Sequence, residues 1–204
     1  MNRVKVKICG LTRCEDVTAA VNAGADVVGF VFAASPRQIS VKTALQLVNK
    51  VPQEILTMGL FMNQSIEDID KVVNAVPLGS LQFHGSESST FCNRWSLPYL
   101  KAVSMQDGNS ARQAENLFPD ALGLLLDSHG QGGSGGSGKV FDWKLATPLS
   151  KPVWLAGGLN AQNVAKAISI VRPYAVDVSS GVESAPGIKD PDRITEFINA
   201  AHGA

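Results

Sequence analysis

Charge, cysteine and long apolar runs are all scarce in this chain. Charged residues make up only 18% of its 204 residues, and 18 basic side chains are matched by 18 acidic ones. No run of Lys and Arg stands out, which excludes the electrostatic footprint of a nucleic-acid or anionic-membrane binder. No apolar stretch reaches the length needed to cross a bilayer. The opening Met1-Asn2-Arg3-Val4-Lys5 runs straight into a strand-like segment, so no signal peptide is expected. Three cysteines, Cys9, Cys14 and Cys92, are an odd number in a long chain. That argues against a disulfide framework and for a reducing, cytoplasmic setting. Metal binding is poorly supported too. Cys9 and Cys14 lack CxxC spacing, and His84, His129 and His202 are scattered singly.

What the chain does have is apolar content, 45%, enough for a full core. Short apolar runs recur at 4–9, 26–32, 55–61, 80–83, near 99–103, at 122–127, 152–156 and 175–178. They are apolar throughout rather than strictly alternating, as parallel strands buried on both faces are. Between them lie helical patterns at 16–23, 41–51, 65–76, 160–171 and 191–201, each with one apolar stripe. Ser65 with Asp68, and Asp190 before Pro191, read as helix starts. Strands alternating with helices indicate βαβ units and a parallel sheet. Eight repeats favour closure into a (β/α)8 TIM barrel, a single catalytic domain over residues 1–204. The chain is short for that fold. Some helices must therefore be short, and those after the fourth, fifth and sixth strands are the candidates.

One segment, 130–138, reads GQGGSGGSG. Gly133, Gly138 and Lys139 satisfy GxxxxGK, but Val140 stands where a phosphate-binding loop needs Ser or Thr. The segment also matches GxGxxG, without an acidic residue about twenty positions on to hold a ribose. Both nucleotide motifs are products of Gly/Ser composition. The position directly after the sixth strand suits a mobile lid over the site, or a tolerated surface insertion.

In a barrel of this kind the strand ends and the loops after them form the site. The first run ends in Lys7-Ile8-Cys9-Gly10, and the second is followed by Ser35-Pro36-Arg37. The fourth ends in Gln82 and His84, the sixth in Asp127, and the seventh in Gly157-Gly158. The eighth ends in Asp177, Ser179, Ser180 and Gly181. Glycines after the seventh and eighth strands let backbone N–H groups approach an anion, the usual phosphate cradle of the fold. Cys9 and Asp127 form a possible acid–base pair. A free thiol ionises at about 8.5 and a carboxyl at about 3.9, so the site must shift both for that work. By spacing alone a cysteine such as Cys9 is more often a small buried hydrophobe than a catalyst. Arg37 could clamp a carboxylate or remain a solvated loop charge.

In order along the chain, VKICGLTRCEDVTAAVNAGADVVGFVFAASPRQIS, GLFMNQS, LQFHG, LLLD, GSGKVFDW, LAGGLN and DVSSGVES resemble the phosphoribosylanthranilate isomerase family. The resemblance covers nearly the whole chain. It implies a (β/α)8 barrel and, without cofactor or metal, an Amadori rearrangement in tryptophan biosynthesis, the third step from chorismate. N-(5-phosphoribosyl)anthranilate becomes 1-(2-carboxyphenylamino)-1-deoxyribulose 5-phosphate. The resemblance implies Cys9 as general base and Asp127 as general acid. It further implies Arg37 against the anthranilate carboxylate, and Gly157, Gly158, Ser180 and Gly181 around the phosphate. Gln82, His84 and Asp177 join the substrate site. The doubled Gly-Gly-Ser before Gly138-Lys139 departs from the family pattern. The partner expected is a small phosphorylated molecule, for a monomer or homodimer, with no nucleic acid and no membrane. Two rivals stand beside this reading: another barrel enzyme acting on a phosphosugar, and a phosphate-binding barrel without catalysis.

Overall fold

The computed structural model describes residues 3–105, 107, 109–128, 140–146 and 148–204. The Gly/Ser segment at 130–138 and Lys139 lie outside them, and so does the expected lid. Eight strands close into a parallel barrel: β1 (Lys5–Cys9), β2 (Val27–Val31), β3 (Leu56–Phe61), β4 (Ser80–Phe83), β5 (Tyr99–Ser104), β6 (Gly123–Asp127), β7 (Val153–Leu155) and β8 (Ala175–Val178). Closure comes from β8 pairing with β1, with Lys7 opposite Asp177 and Lys5 opposite Ala175. The apolar runs read from sequence match these strands to within a residue or two at each end.

The helices are α1 (Cys14–Asn22), α2 (Val41–Val48), α3 (Ile66–Ala75), α4 (Ser89–Cys92), α5 (Ser110–Leu117), α6 (Val164–Val171) and α7 (Pro191–His202). Ser65 caps α3 by accepting from the Asp68 amide at 3.1 Å, a contact worth about 1 kcal/mol. Asp190 accepts from the amides of Asp192 and Arg193, with Pro191 opening α7. The helix after β7 starts later than its sequence pattern. Asn160 Oδ1 accepts from the amides of Gln162 and Asn163, so a side-chain-closed turn takes 160–163 and α6 begins at Val164. Shortening falls where β4 and β6 end. Four residues make α4, and among the described residues only a 3-10 turn (Trp143–Leu145) follows β6. After β5, α5 has eight residues, as many as α2 and α6.

Strand side chains alternate in and out. Val6, Ile8, Val28, Phe30, Leu124 and Val176 point outward and pack with helix residues such as Val17, Leu47, Ile69 and Phe197. Each such burial stabilises by roughly 1.5–3 kcal/mol. Val27, Met58, Leu100, Leu125, Trp154 and Ala175 form a separate apolar cluster inside the barrel. Further along the same inward rows stand Lys7, Cys9, Gln82, Asp127 and Asp177, all buried. An antiparallel hairpin of β9 (Glu183–Ala185) and β10 (Ile188–Lys189), absent from the sequence reading, follows a 3-10 turn at Ser180–Val182.

Candidate active site

The inward rows end at one cavity in the C-terminal mouth of the barrel. Cys9, Arg37, Gln82, His84, Asp127, Gly157, Gly158, Asp177, Ser180 and Gly181 all line it. Every site residue singled out in the sequence therefore reaches the same space. Each strand delivers its residue by parity. Cys9 lies two positions beyond Lys7 on β1, Asp127 two beyond Leu125 on β6, and Asp177 two beyond Ala175 on β8, so each keeps an inward direction.

The loops after β7 and β8 are close-packed. Gly157 and Gly158 have φ of +84° and +66°, the left-handed region that favours glycine. A Cβ on Gly181 would lie 1.9 Å from the Leu159 carbonyl oxygen, so no other residue fits there without moving the backbone. The two loops thus meet directly, and Gly157, Gly158, Ser180 and Gly181 line the cavity where they meet.

On one side of the mouth Gln82, His84 and Asp127 form a chain. Gln82 Nε2 is 3.1 Å from His84 Nδ1, and His84 Nε2 is 3.3 Å from Asp127 Oδ2. If Gln82 donates to Nδ1, the proton of a neutral His84 sits on Nε2, facing the carboxyl. Gln82 Oε1 is buried and has no hydrogen-bond partner among the described residues. Such an atom costs free energy unless a ligand donor completes it.

On the other side Arg37 makes a two-pronged pair with Glu183, through Nε to Oε1 and Nη2 to Oε2, both 2.7 Å. Lys189 donates to the same Oε1 at 2.8 Å and to the Ser179 carbonyl at 3.0 Å. Arg37 is thus anchored by the hairpin, not left as a solvated loop charge. Burial works against the Glu183 carboxylate, but Arg37 and Lys189 outweigh it and hold its pKa below the usual glutamate value. Burial lowers the Lys189 pKa despite Glu183.

Beneath Cys9, Lys7 Nζ donates to Asp177 Oδ1 at 2.9 Å, with both side chains buried. Burial pushes the Cys9 thiol above its ordinary pKa, while the Lys7 ammonium pulls it down. Burial also opposes the Lys7 charge, yet Asp177 and Cys9 together hold its pKa above the ordinary lysine value.

Sequence reasoning missed Lys7, Glu183 and Lys189 as parts of this arrangement. Lys7 had a legible signal. It shares strand parity with Cys9 in a strand buried on both faces, where a lysine must find a partner. Glu183 and Lys189 had none, because their hairpin is two and three residues long. Of the other cysteines, Cys92 is buried in the core, its pKa raised by burial to about 12. Cys14 stands exposed at the start of α1. No group of three or more His, Cys, Asp or Glu among the described residues is gathered as a metal would require.

Comparison with known proteins agrees with this geometry. A family model described as N-(5'-phosphoribosyl)anthranilate (PRA) isomerase matches residues 6–200. The N-(5'-phosphoribosyl)anthranilate isomerase of Pseudomonas fluorescens (strain Pf0-1) is 50% identical over 202 residues, covering 98% of this chain and 99% of the relative. The crystal structure of the Thermotoga maritima phosphoribosyl anthranilate isomerase superposes with a TM-score of 0.90 at 40% identity, covering 98% of this chain and all of that one. A further isomerase structure, in complex with reduced 1-(o-carboxyphenylamino)-1-deoxyribulose 5-phosphate, gives 0.87 at 39% identity, with the same coverage. With a closed eight-stranded barrel, a polar mouth and these matches over nearly its full length, the chain belongs to the N-(5'-phosphoribosyl)anthranilate isomerase family.

Proposed function

We propose that this barrel isomerises N-(5'-phosphoribosyl)anthranilate to 1-(2-carboxyphenylamino)-1-deoxyribulose 5-phosphate, with Cys9 as general base and Asp127 as general acid. The observation that carries the assignment is the meeting of Cys9 from β1 and Asp127 from β6 at one mouth cavity. A bound sugar placed between those strand ends meets the two groups from different sides. Asp127 protonates the furanose ring oxygen, and the ring opens to a protonated Schiff base. Cys9, as thiolate, then takes the proton from C2. The C2–H electron pair forms the C1=C2 bond, and the C=N electrons return to nitrogen, giving an enolamine. Tautomerisation to the ketone completes the reaction. Each placed proton transfer contributes roughly 10²- to 10⁴-fold.

The remaining groups bind. Gly157, Gly158, Ser180 and Gly181 form the phosphate cradle, where the close-packed glycine loops leave backbone groups facing the cavity. Gln82 Oε1 accepts from a sugar hydroxyl, which supplies the donor that this buried atom lacks among the described residues. His84 sits against Asp127 and lines the substrate cavity. Arg37, fixed by Glu183, faces the anthranilate carboxylate. Asp177 fixes Lys7 at the end of β8. The domain is the single unit 1–204, and three unpaired cysteines fit a cytoplasmic enzyme. No described helix is long and apolar enough to cross a membrane.

Adding the protein to phosphoribosylanthranilate and following the decay of substrate fluorescence tests this reading. Rapid decay that Cys9→Ala abolishes supports it. Turnover undiminished in Cys9→Ala would move the base elsewhere. No decay with the parent would favour a non-catalytic barrel or a different phosphosugar.

A further inference from the structure

A base that is a thiol must be ionised when substrate arrives, and Cys9 is 4% exposed, in surroundings that disfavour its charge. Something in the barrel must offset that burial. We propose that Lys7, fixed by Asp177, is a positioning residue that raises the thiolate fraction of Cys9. The proposal rests on the general-base assignment above and adds a residue that the assignment does not contain.

The geometry begins with parity. Lys7 and Cys9 stand two apart on β1 and enter the barrel on the same side. Lys7 has nowhere to reach solvent, since its residue is fully buried. It neither snorkels nor lines the mouth cavity. Its ammonium instead points across to β8, where Asp177 Oδ1 accepts at 2.9 Å. The neighbouring strand β2 makes room for this. Gly29 pairs with Cys9 in the register, and a Cβ there would lie 2.9 Å from Cys9 Sγ and 3.2 Å from Lys7 Cε. The Cys9 sulfur and the end of the Lys7 stem therefore converge on one gap, which only the missing side chain of Gly29 leaves open.

The charges around Cys9 can be read element by element. From β1 comes the Lys7 cation, and from β8 the Asp177 anion. The hairpin brings the Lys189 cation, and the loop after β2 brings Arg37, both drawn by the thiolate. Glu183 engages Arg37 and Lys189 directly. Asp127 and His84 stand at the β6 and β4 strand ends of the same mouth. Among the positive groups, Lys7 exerts the largest pull on the thiol. An apolar residue at position 7 would leave Cys9 with burial and the Asp177 charge both acting against ionisation.

The proton step shows what this accomplishes. Cys9 S⁻ takes H⁺ from C2 and becomes neutral S–H, so the ion contact with Lys7 relaxes as the reaction proceeds. Lys7 neither gains nor loses a proton, and the Asp177 carboxylate keeps it charged throughout. Its part is to set the fraction of enzyme that starts with a base.

The test is the pH profile of kcat/KM for Lys7→Met, whose acid limb reports the free-enzyme base. Lys7→Met strands Asp177, so the double variant Lys7→Met/Asp177→Asn serves beside it as a charge-neutral fold control. In both, the rate of Cys9 alkylation by iodoacetamide is followed against pH by mass spectrometry. Tryptic cleavage after Arg13 separates the Cys9 peptide from Cys14. The expected result is an alkylation midpoint about one pH unit or more above that of the parent in Lys7→Met, and a smaller upward shift in the double variant, which also loses the opposing Asp177 charge. In Lys7→Met the acid limb shifts equally, so the activity loss at neutral pH shrinks as pH rises. An alkylation midpoint unmoved in either folded variant overturns the proposal, as does an activity loss equal at every pH. Both results leave the general-base reading intact, which falls only if Cys9→Ala retains turnover.

Discussion

The two ends of the barrel interior are built from the same strands and the same inward rows, yet they differ in kind. Toward the N-terminal ends the rows carry Val27, Met58, Leu100, Leu125, Trp154 and Ala175, an apolar plug. Two residues beyond Leu125 on β6 and Ala175 on β8 they carry Asp127 and Asp177, while Cys9 ends the β1 row and Gln82 stands in the β4 row. The plug fills space without specific geometry and contributes by area and packing. The mouth holds charge and, at Gln82 Oε1, an acceptor with no partner among the described residues, either of which is a liability in a plain core. The difference teaches that strand parity fixes where a side chain goes, whereas position along the strand decides whether it stabilises or reacts.

The largest expected effect separates the two ends by kinetics. Asp127→Asn keeps the shape of the mouth and removes the proton donor. Its kcat should fall roughly 10²- to 10⁴-fold, while calorimetric binding of a reduced product analogue stays close to that of the parent. Turnover near the parental rate would show that Asp127 belongs to binding alone. The converse change is Met58→Ala in the plug, where Met58 is fully buried. Denaturant unfolding should show a loss of about 2–5 kcal/mol from the transfer and cavity terms, and kcat of the folded fraction should change little. A large kcat effect without loss of stability would erase the contrast between plug and mouth.

Glu183→Gln sharpens the comparison by probing the mouth for stability rather than rate. It leaves Arg37 and Lys189 without their shared carboxylate, and breaking a buried pair in this way costs about 3 kcal/mol. Because the folded-state pKa of Glu183 is depressed, its contribution is complete above the ordinary glutamate value and is lost as pH falls through the depressed one. The stability gap between parent and variant should therefore be wide at neutral pH and narrow in acid. A gap independent of pH would mean that the carboxylate's charge is not what matters. The smallest effect belongs outside both ends. Ser65→Ala removes the α3 cap and should lower stability by about 1 kcal/mol with unchanged kcat.

Much of this was legible before the structure. The apolar runs gave each strand, and the Ser65 and Asp190 caps gave the starts of α3 and α7, because these signals depend on neighbours a few residues away. Gly157-Gly158 and Gly181 were legible as close-approach points, since few other roles require glycine at a strand end. The start of α6 was not, because the side chain of Asn160 closes a turn that periodicity does not register. The hairpin was not legible either, since strands of two and three residues carry no pattern.

By itself the sequence determined the alternation of strands and helices, the placement of Cys9 and Asp127 at strand ends, and the family. Only the tertiary structure decided that Arg37 is held by a carboxylate 146 residues away and that Lys7 meets Asp177 across 170. The physical reason is closure. Local patterns set the direction of a side chain relative to its own strand, but β1 and β8 become neighbours only when all eight strands have closed the barrel. The charges that ready the base meet at that seam.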